Sequence, residues 1–302
     1  METKFVRNRV EKVRRSTLIV PGNVERFIQK AMTRGADAIQ LDLEDSVPYE
    51  QKDIGRQMVL ETLNTLPLSP TEINVRINNE PDMWLKDLTC CVAPRLHSVT
   101  IPKCEDTTII REVEAKLADL ERERGLLEGH TQISILIESA LGLSRLDELL
   151  GASDRISTVT LGNEDFCLDL GIEASSTGEE LYPYYAQVVL QARIHQVMPL
   201  GFVSSIADFR NLDNFRRLAE KSKQLGFMGS SCIHPDQVAI LNEVYTPRPD
   251  ELERALGIVQ AFEQAQQEGR SSCSYMGKMI DPPVYLRAQL LLKRNTTMMS
   301  KG

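Results

Sequence analysis

Short apolar segments alternate with amphipathic, helix-like segments along most of the chain, and this rhythm constrains the fold more than any other feature. Eight apolar segments have the length and composition of buried strands, namely residues 17–20, 38–43, 73–77, 98–101, 133–137, 157–161, 201–204 and 229–233. The helical patterns that follow them cover residues 24–33, 51–63, 83–90, 107–124, 143–150, 179–196, 211–224 and 235–244. Because repeated strand–helix units build parallel sheets, we predict an α/β fold, a (β/α)8 TIM barrel. A doubly wound sheet is the alternative, but no GxGxxG turn follows the first strand.

The alternation of strand-like and helix-like segments stops after Pro247, which indicates a change of architecture. Two further helical patterns, 250–267 and 283–293, flank the small-residue stretch EGRSSCSYMGKMIDPP. We therefore predict a catalytic barrel with an N-terminal arm over residues 1–246. A C-terminal helical extension is predicted over residues 247–302.

Charge and composition narrow the partners and the compartment. The formal net charge of −8 argues against a nucleic-acid partner. With no apolar run of about eighteen residues, no membrane span is predicted. Six cysteines without CxxC or zinc-site spacing are typical of reduced thiols in a cytoplasmic protein. The basic start of the chain lacks a signal-peptide core and is interpreted as a polar arm, with a mitochondrial leader as the alternative.

Polar residues follow the predicted strands where each of them ends. Active-site residues of such barrels lie at the carboxyl ends of the strands, so these side chains are expected to meet at one rim. The segment LDLEDSVP places acids there, which are costly to bury unless they are paired, bound to metal or exposed in a cleft. The candidates at this rim are Glu44, Asp45, Arg76, Asn78, Lys103, Glu138, Asn163, Glu164, Asp165, Ser205, Asp208 and His234.

Glu138 and Asp165 end neighbouring predicted strands and are the candidate metal ligands. Carboxylate oxygens suit Mg²⁺ or Mn²⁺, and Mg²⁺ commonly takes one or two carboxylates together with water and substrate oxygens. No cluster of cysteine or histidine in the sequence indicates a softer metal. The structural alternative is that each acid caps a helix or pairs with a base.

Arg76, in the segment INVRINN, lies on an otherwise apolar strand. A guanidinium held in place can bind a carboxylate or a developing oxyanion with two hydrogen bonds. The structural alternative is an ion pair with Glu44 or Asp45, and both interpretations can hold together. Lys103, in TIPK, could form a Schiff base, but the candidate metal pair favours a structural role for it.

Seven segments occur in an order that resembles a known family: RRSTLIVPGN, DAIQLDLEDSVPYEQKDIGR, INVRINN, SVTIPK, SILIESALGL, TLGNEDFCLDLG and FMGSSCIHPDQVAILNEVYTP. They resemble the citrate lyase beta-subunit-like family of the HpcH/HpaI aldolase superfamily, which includes malyl-CoA and citramalyl-CoA lyases. The resemblance extends over residues 14–290. Each segment alone is a weak signal, whereas the ordered set is specific.

The resemblance implies roles for individual residues of this chain. It implies a barrel in which Glu138 and Asp165 hold Mg²⁺ and Arg76 contacts the substrate, with Glu44 and Asp45 around Arg76 and a metal-bound water. The segment GKMIDPPV would bring Asp281 into the active site of a neighbouring subunit as the acid/base, within a homotrimer or homohexamer. An N-cap of the following helix is the structural alternative for Asp281.

Contacts with an acyl-CoA substrate are predicted for four more residues. Arg14, Arg15 and Lys52 are the candidates for binding CoA phosphates, although most surface cations are simply solvated. Asn163 is predicted to contact the substrate at the rim. Ser230 stands where the family often has lysine, which is a departure from the family pattern.

The predicted function is a Mg²⁺-dependent lyase that splits a 3-hydroxyacyl-CoA of the citramalyl-CoA or malyl-CoA type into acetyl-CoA and pyruvate or glyoxylate. A malyl-CoA thioesterase is one alternative. A class II aldolase acting on free acids is another, but its relatives carry a histidine after strand two, where this chain has Glu44-Asp45-Ser46. The third alternative is a non-catalytic subunit of a lyase complex.

Overall fold

Residues 13–66 and 69–299 are described by the structure, which is a computed structural model. Eight parallel strands form one sheet in the order β7-β6-β5-β4-β3-β2-β1-β8. Their bounds are β1 Ser16–Pro21, β2 Ala38–Asp42, β3 Glu72–Arg76, β4 Leu96–Ile101, β5 Gln132–Ile137, β6 Ile156–Leu161, β7 Met198–Leu200 and β8 Ser230–Cys232. Each strand therefore lies beside the strand that precedes it in the sequence, as in a TIM barrel.

Backbone hydrogen bonds join the two ends of this sheet. The amide of Met228 donates to the carbonyl of Pro199 at 3.0 Å, and the amide of Gly201 donates to the carbonyl of Gly229 at 3.0 Å. These bonds link the segments around β7 and β8, so that the eight strands form a nearly closed barrel. The predicted TIM barrel is confirmed.

Helices alternate with the strands, as the apolar periodicity predicted. The bounds are α1 Glu25–Ala31, α2 Lys52–Thr65, α3 Pro81–Cys91, α4 Thr107–Glu123, α5 Ala140–Ser144, α6 Leu146–Gly151, α7 Asn163–Leu170, α8 Tyr182–Ile194, α9 Leu212–Leu225 and α10 Pro235–Tyr245. Helix α7 was absent from the prediction, although it carries Asn163 and Asp165. The strand predicted at 201–204 is wrong, because β7 begins three residues earlier, at Met198. Pro199, in the middle of β7, breaks the apolar pattern by which strands are predicted.

The strands alternate between two kinds of side chain. Along β2, Ile39 and Leu41 belong to the apolar core, whereas Gln40 and Asp42 line a cavity inside the barrel. Strand β3 follows the same rule, with Asn74 facing the cavity. This period of two is expected of strands with distinct environments on their two faces. Unlike an apolar barrel interior, this interior therefore presents amides, hydroxyls and charged groups.

Residues from Thr246 onwards form a second compact unit. It contains α11 Pro249–Gln267, an antiparallel hairpin of β9 Cys273–Tyr275 and β10 Lys278–Ile280, and α12 Pro282–Met299. Phe262 stacks on Tyr285 with ring centroids 4.7 Å apart. The two helices were predicted, but the hairpin between them was not. Within the described ranges, no helix combines the length and the apolar character needed to cross a membrane.

Candidate active site

A cavity of about 450 Å³ opens at the carboxyl ends of the strands and continues into the barrel. This volume lies within the usual range of small-molecule sites. Apart from Arg14, which precedes β1, the charged side chains of this cavity come from the carboxyl ends of several strands and the segments that follow them, as expected for a barrel enzyme. They are Arg14, Asp42, Asp45, Arg76, Glu138, Glu164 and Asp165.

Arg76, the last residue of β3, is fixed by acids that follow β2. Its Nε and Nη2 donate to the two carboxylate oxygens of Asp42, each at 2.7 Å, and its Nη1 lies 2.9 Å from Glu44 Oε2. Burial alone would lower the pKa of Arg76, but the bonds to Asp42 raise it above its usual range. The hydrogen bonds to Asp42 engage two of the five guanidinium N–H donors, whereas the contact with Glu44 is an ion pair, so N–H donors remain for a ligand in the cavity.

Asp42 is the principal partner of Arg76, a role that sequence reasoning did not assign to it. The carboxylate is 0% exposed, and burial by itself would raise its pKa. The bidentate bond to Arg76 outweighs burial, and the pKa of Asp42 is lowered. Asp42 also accepts from the amides of Glu44 and Ser46, at 3.0 and 3.1 Å. An ionised carboxylate is therefore favoured at Asp42, and it anchors Arg76.

Lys103 links the acids around Arg76 to Glu138. Its Nζ lies 2.7 Å from Glu44 Oε1 and 3.3 Å from Asp45 Oδ1. Its backbone amide donates to Glu138 Oε2 at 2.8 Å. The backbone at Lys103 has a φ of 47°, in the left-handed region that non-glycine residues seldom adopt. This conformation lets one residue serve both groups, which agrees with the structural role predicted for Lys103.

Glu138 follows β5 and is buried, with 7% exposure. Burial raises the pKa of Glu138 to about 8, with a further increase from the charges of Glu44 and Asp165, despite the hydrogen bond from the Lys103 amide. A cation bound beside Glu138 would favour the ionised carboxylate.

Gly162, directly after β6, provides the space that the Glu138 carboxylate occupies. A Cβ at position 162 would lie 2.6 Å from Glu138 Cγ and 2.8 Å from Oε1. Real Cβ atoms are not found this close, so any side chain at this position would displace the carboxylate. This requirement for glycine was also missed by sequence reasoning.

Replacing Gly162 by alanine is expected to weaken Mg²⁺ binding about 10- to 100-fold, as loss of ligand support does at other metal sites. The added methyl group would push Glu138 away from its present position. Isothermal titration calorimetry with Mg²⁺ measures the effect. The matched control is Gly151→Ala, whose Cβ would make an ordinary 3.5 Å contact with His195. Equal Mg²⁺ affinities in the two variants would contradict this account of Gly162.

Asp165 lies in the first turn of α7 and lines the same cavity. No group in residues 13–66 and 69–299 donates a hydrogen bond to its carboxylate. Nor do these ranges contain a ready cluster of three or more histidine, cysteine or acidic ligands. A pair of carboxylates beside an open cavity fits Mg²⁺, which retains water and substrate ligands, better than a metal that needs a full protein cage.

Asn163 also lines the cavity, but its amide is engaged in holding neighbouring segments. Its Nδ2 donates to the carbonyls of Phe202, at 2.9 Å, and Ser204. Its Oδ1 accepts from the hydroxyl of Tyr185 at 2.8 Å. The structure thus gives Asn163 a role in positioning the chain after β7, and its contact with substrate stays a prediction.

Lys52 and Arg15 are not brought to the cavity. Lys52 Nζ lies 2.7 Å from each of three acceptors, the carbonyls of Leu43 and Glu44 and the side chain of Asn78. Arg15 precedes β1 and binds both carboxylate oxygens of Asp37, which precedes β2. It therefore lies at the amino-terminal end of the strands, opposite the candidate site. Their predicted contacts with CoA phosphates gain no support from these positions.

Asp281 belongs to the second compact unit and precedes α12. Its Oδ1 accepts from the amide of Val284 at 3.2 Å, which is the geometry of an N-cap. The alternative considered for this residue is therefore present in the structure. Its predicted catalytic role stays a prediction.

An eight-stranded barrel with carboxylates, an arginine and a lysine at the carboxyl ends of its strands defines a TIM-barrel enzyme with an acidic active site. Residues 15–235 match the model of the HpcH/HpaI aldolase/citrate lyase family. The chain belongs to this family, as the ordered segments predicted.

Named relatives cover nearly the whole chain. Citrate lyase subunit beta from Leuconostoc mesenteroides subsp. cremoris is 35% identical over 94% of this chain and 93% of its own length. An L-malyl-CoA/beta-methylmalyl-CoA lyase from Cereibacter sphaeroides is 29% identical, with coverage of 93% and 94%. These relatives are carbon–carbon lyases, and the predicted enzyme class is confirmed.

Solved structures show the same fold. The protein CitE from Mycobacterium tuberculosis, in complex with magnesium, acetoacetate and coenzyme A, has a TM-score of 0.74 and 24% identity, covering 95% of this chain and 99% of that one. A citrate lyase from Burkholderia xenovorans has a TM-score of 0.81 and 16% identity, with coverage of 95% and 93%.

Proposed function

We propose that this chain is a Mg²⁺-dependent CoA-ester lyase. It would cleave a 3-hydroxyacyl-CoA with a terminal carboxylate, of the citramalyl-CoA or malyl-CoA type, to acetyl-CoA and a 2-oxo acid such as pyruvate or glyoxylate. The observation that carries the proposal is the placement of Arg76, anchored by Asp42, in one cavity with the carboxylates of Glu138 and Asp165.

The charges of the site support a divalent cation. At the strand ends, five acids, Asp42, Glu44, Asp45, Glu138 and Asp165, lie close to two cations, Arg76 and Lys103. When bound by Glu138 and Asp165, Mg²⁺ would supply Lewis acidity to the oxygen on the carbon that becomes the oxo group. The magnesium in the related CitE structure is consistent with this assignment.

The residues of this chain would stabilise the charge that develops as the carbon–carbon bond is cleaved. A general base takes the proton of the hydroxyl, a C=O bond forms, and the bond between the α and β carbons breaks. The electron pair of that bond enters the thioester as an enolate, which gains a proton at carbon to give acetyl-CoA. Arg76 donates N–H groups that Asp42 leaves unengaged to the enolate oxygen, where charge develops. Glu44, 2.9 Å from Arg76 Nη1, keeps the guanidinium oriented.

Asp281 of a neighbouring subunit is proposed as the group that delivers this proton, on the strength of the family resemblance. The arrangement requires at least a dimer, and we propose a homotrimer or homohexamer. Replacing Asp281 by asparagine is expected to lower kcat about 100-fold. Because asparagine also caps helices well, thermal stability should be unchanged. A variant with the full lyase rate would remove Asp281 from the mechanism.

A product assay on the purified protein tests the proposal. Malyl-CoA, β-methylmalyl-CoA, citramalyl-CoA and free 4-hydroxy-2-oxo acids would each be supplied with Mg²⁺ or with EDTA. Metal-dependent formation of acetyl-CoA together with a 2-oxo acid is the expected result. Free CoA with an intact hydroxy acid would indicate a thioesterase, and turnover of the free acids alone would indicate an aldolase. Either of these results would overturn the proposal.

A further inference from the structure

A network of hydrogen bonds ties the first turn of α7 to the segment that follows β7. Asn163 is the first residue of α7, and its Nδ2 donates to the carbonyls of Phe202, at 2.9 Å, and Ser204. Its Oδ1 accepts from the hydroxyl of Tyr185 at 2.8 Å. Both N–H groups of the side-chain amide and its oxygen are therefore engaged. These bonds hold the side chain in one orientation and, with it, the backbone that begins the helix.

Tyr185, on α8, lies at the centre of this network. Its hydroxyl donates to Asn163 Oδ1 and accepts from the backbone amide of Ser204 at 3.1 Å. The residue is 0% exposed, and burial raises the pKa of its hydroxyl, which therefore keeps the proton that it donates. A single oxygen atom thus joins α7 to the chain after β7.

Ser204 adopts a backbone conformation that needs this support. Its φ of 92° lies in a region that residues other than glycine seldom adopt, and such conformations persist only where the surrounding contacts determine them. The Ser204 amide binds Tyr185, its hydroxyl donates to the carbonyl of Ser175 at 3.0 Å, and its carbonyl accepts from Asn163. Loss of the Tyr185 hydroxyl would remove one of these three bonds, so we expect the backbone at Ser204 to relax.

Asp165 lies two residues after Asn163, in the same first turn of α7. Its carboxylate receives no hydrogen bond from any residue that the structure describes. The other candidate metal ligand, Glu138, differs in this respect, because it accepts from the Lys103 amide at 2.8 Å. The position of the Asp165 carboxylate is therefore set by the backbone of its own turn, which the Asn163 side chain holds in place.

We propose that Tyr185 is a positioning residue for the metal site. It acts through Asn163 and holds the first turn of α7 where Asp165 can bind Mg²⁺ together with Glu138. This inference rests on the proposed function and assigns a role to a residue of α8 that does not line the cavity. Groups that orient metal ligands typically change metal affinity about 10- to 100-fold when they are replaced.

Tyr185→Phe is the informative variant, because it removes the hydroxyl and keeps the ring, which packs edge-on against Phe227 with centroids 5.8 Å apart. Isothermal titration calorimetry with Mg²⁺, in the absence of substrate, should show binding at least ten-fold weaker than in the wild type. Hydrogen exchange of the metal-free protein provides a second readout. The Ser204 amide should exchange at least ten-fold faster, since it loses its acceptor.

Tyr184→Phe is the matched control. Tyr184 also lies on α8 and packs edge-on against Phe166 of α7, with ring centroids 5.2 Å apart. Its hydroxyl makes no hydrogen bond to the residues that the structure describes. This variant should change neither the Mg²⁺ affinity nor the exchange of the Ser204 amide more than two-fold.

Asn163→Ala tests whether Tyr185 acts through Asn163. This variant should weaken Mg²⁺ binding at least as much as Tyr185→Phe does. The double variant should bind Mg²⁺ less than two-fold more weakly than Asn163→Ala alone, because both changes break the same contact. Losses that multiply in the double variant would contradict action through Asn163.

The outcomes separate this inference from the proposed function. A Tyr185→Phe protein that binds Mg²⁺ within two-fold of the wild type would overturn the positioning role and leave the metal site in place. Weaker Mg²⁺ binding with unchanged exchange at Ser204 would also overturn it, since the loss would not pass through the network. A wild-type protein that binds no Mg²⁺ would overturn the proposed function and this inference with it.

Discussion

Lysine in place of Arg76 is expected to lower kcat/KM about 1,000-fold, at the upper end of what loss of a preorganised oxyanion donor costs. A lysine carries the same charge, but it cannot bind Asp42 through two parallel hydrogen bonds and still present two donors to the cavity. The loss should appear mainly in kcat, because the enolate charge exists in the transition state and not in the bound substrate. Steady-state kinetics with the preferred CoA ester measure the effect.

Arg155→Lys is the matched control for this experiment. Arg155 is also a buried arginine paired with a carboxylate, through bonds of 2.8 and 2.9 Å to Glu121. It directly precedes β6, at the end of the barrel opposite the candidate site. This variant should lose stability but keep its kcat/KM. An Arg76→Lys enzyme within five-fold of wild type would show that Arg76 is structural, as the ion-pair alternative holds.

Glutamine in place of Glu138 is expected to weaken Mg²⁺ binding at least 100-fold and to lower kcat/KM about 1,000-fold at a fixed Mg²⁺ concentration. The substitution preserves the size of the side chain and the acceptor for the Lys103 amide, but removes the charge that a metal ligand requires. A Mg²⁺ titration of the lyase rate separates the two effects, since a metal-affinity defect shifts the midpoint to higher concentration.

Glu164→Gln provides the control for loss of charge alone. Glu164 is exposed and lines the same cavity one residue before Asp165. If Glu138 acted only through the overall negative potential, both variants would change the Mg²⁺ midpoint by a similar, small factor. A midpoint for Glu138→Gln that equals that of Glu164→Gln would contradict its assignment as a ligand.

The barrel was predictable because its pattern is repeated eight times, so that an error in one unit does not alter the topology. The seventh strand was misplaced because Met198–Leu200 is only three residues long and contains Pro199, which removes the usual strand signal. The residues that follow it, Gly201 to Val203, carry the apolar strand pattern instead. Helix α7 was missed because it begins immediately after β6, with three polar residues in its first turn.

The site was predictable where charge and strand ends coincide. Arg76, Glu138 and Asp165 were found by that rule, and the structure places all three in one cavity. The ion pair of Arg76 with Glu44 that the sequence suggests is present at 2.9 Å, but its bidentate partner, Asp42, was not predicted. Strand period could have identified it, since Gln40 and Asp42 share the face that turns inward and Asp42 is the register partner of Arg76.

Other misses depend on contacts that no local pattern encodes. The need for glycine at position 162 arises from the approach of Glu138, which is 24 residues earlier in the chain. Lys52 was predicted to reach a CoA phosphate because it follows the acidic segment. The structure instead shows its ammonium group holding the backbone carbonyls of that same segment. A lysine that bonds inward and one that faces solvent have the same sequence signature.

The location of a bound cation is the most direct test of the central claim, that Glu138 and Asp165 form the metal site of a lyase. Crystals soaked in Mn²⁺, a substitute for Mg²⁺ with useful anomalous scattering, would be measured with and without a 2-oxo acid. The account predicts one strong anomalous peak within bonding distance of both carboxylates, with the oxo acid beside it and within reach of Arg76. A cavity that stays free of Mn²⁺, or a peak bound by other residues, would contradict it.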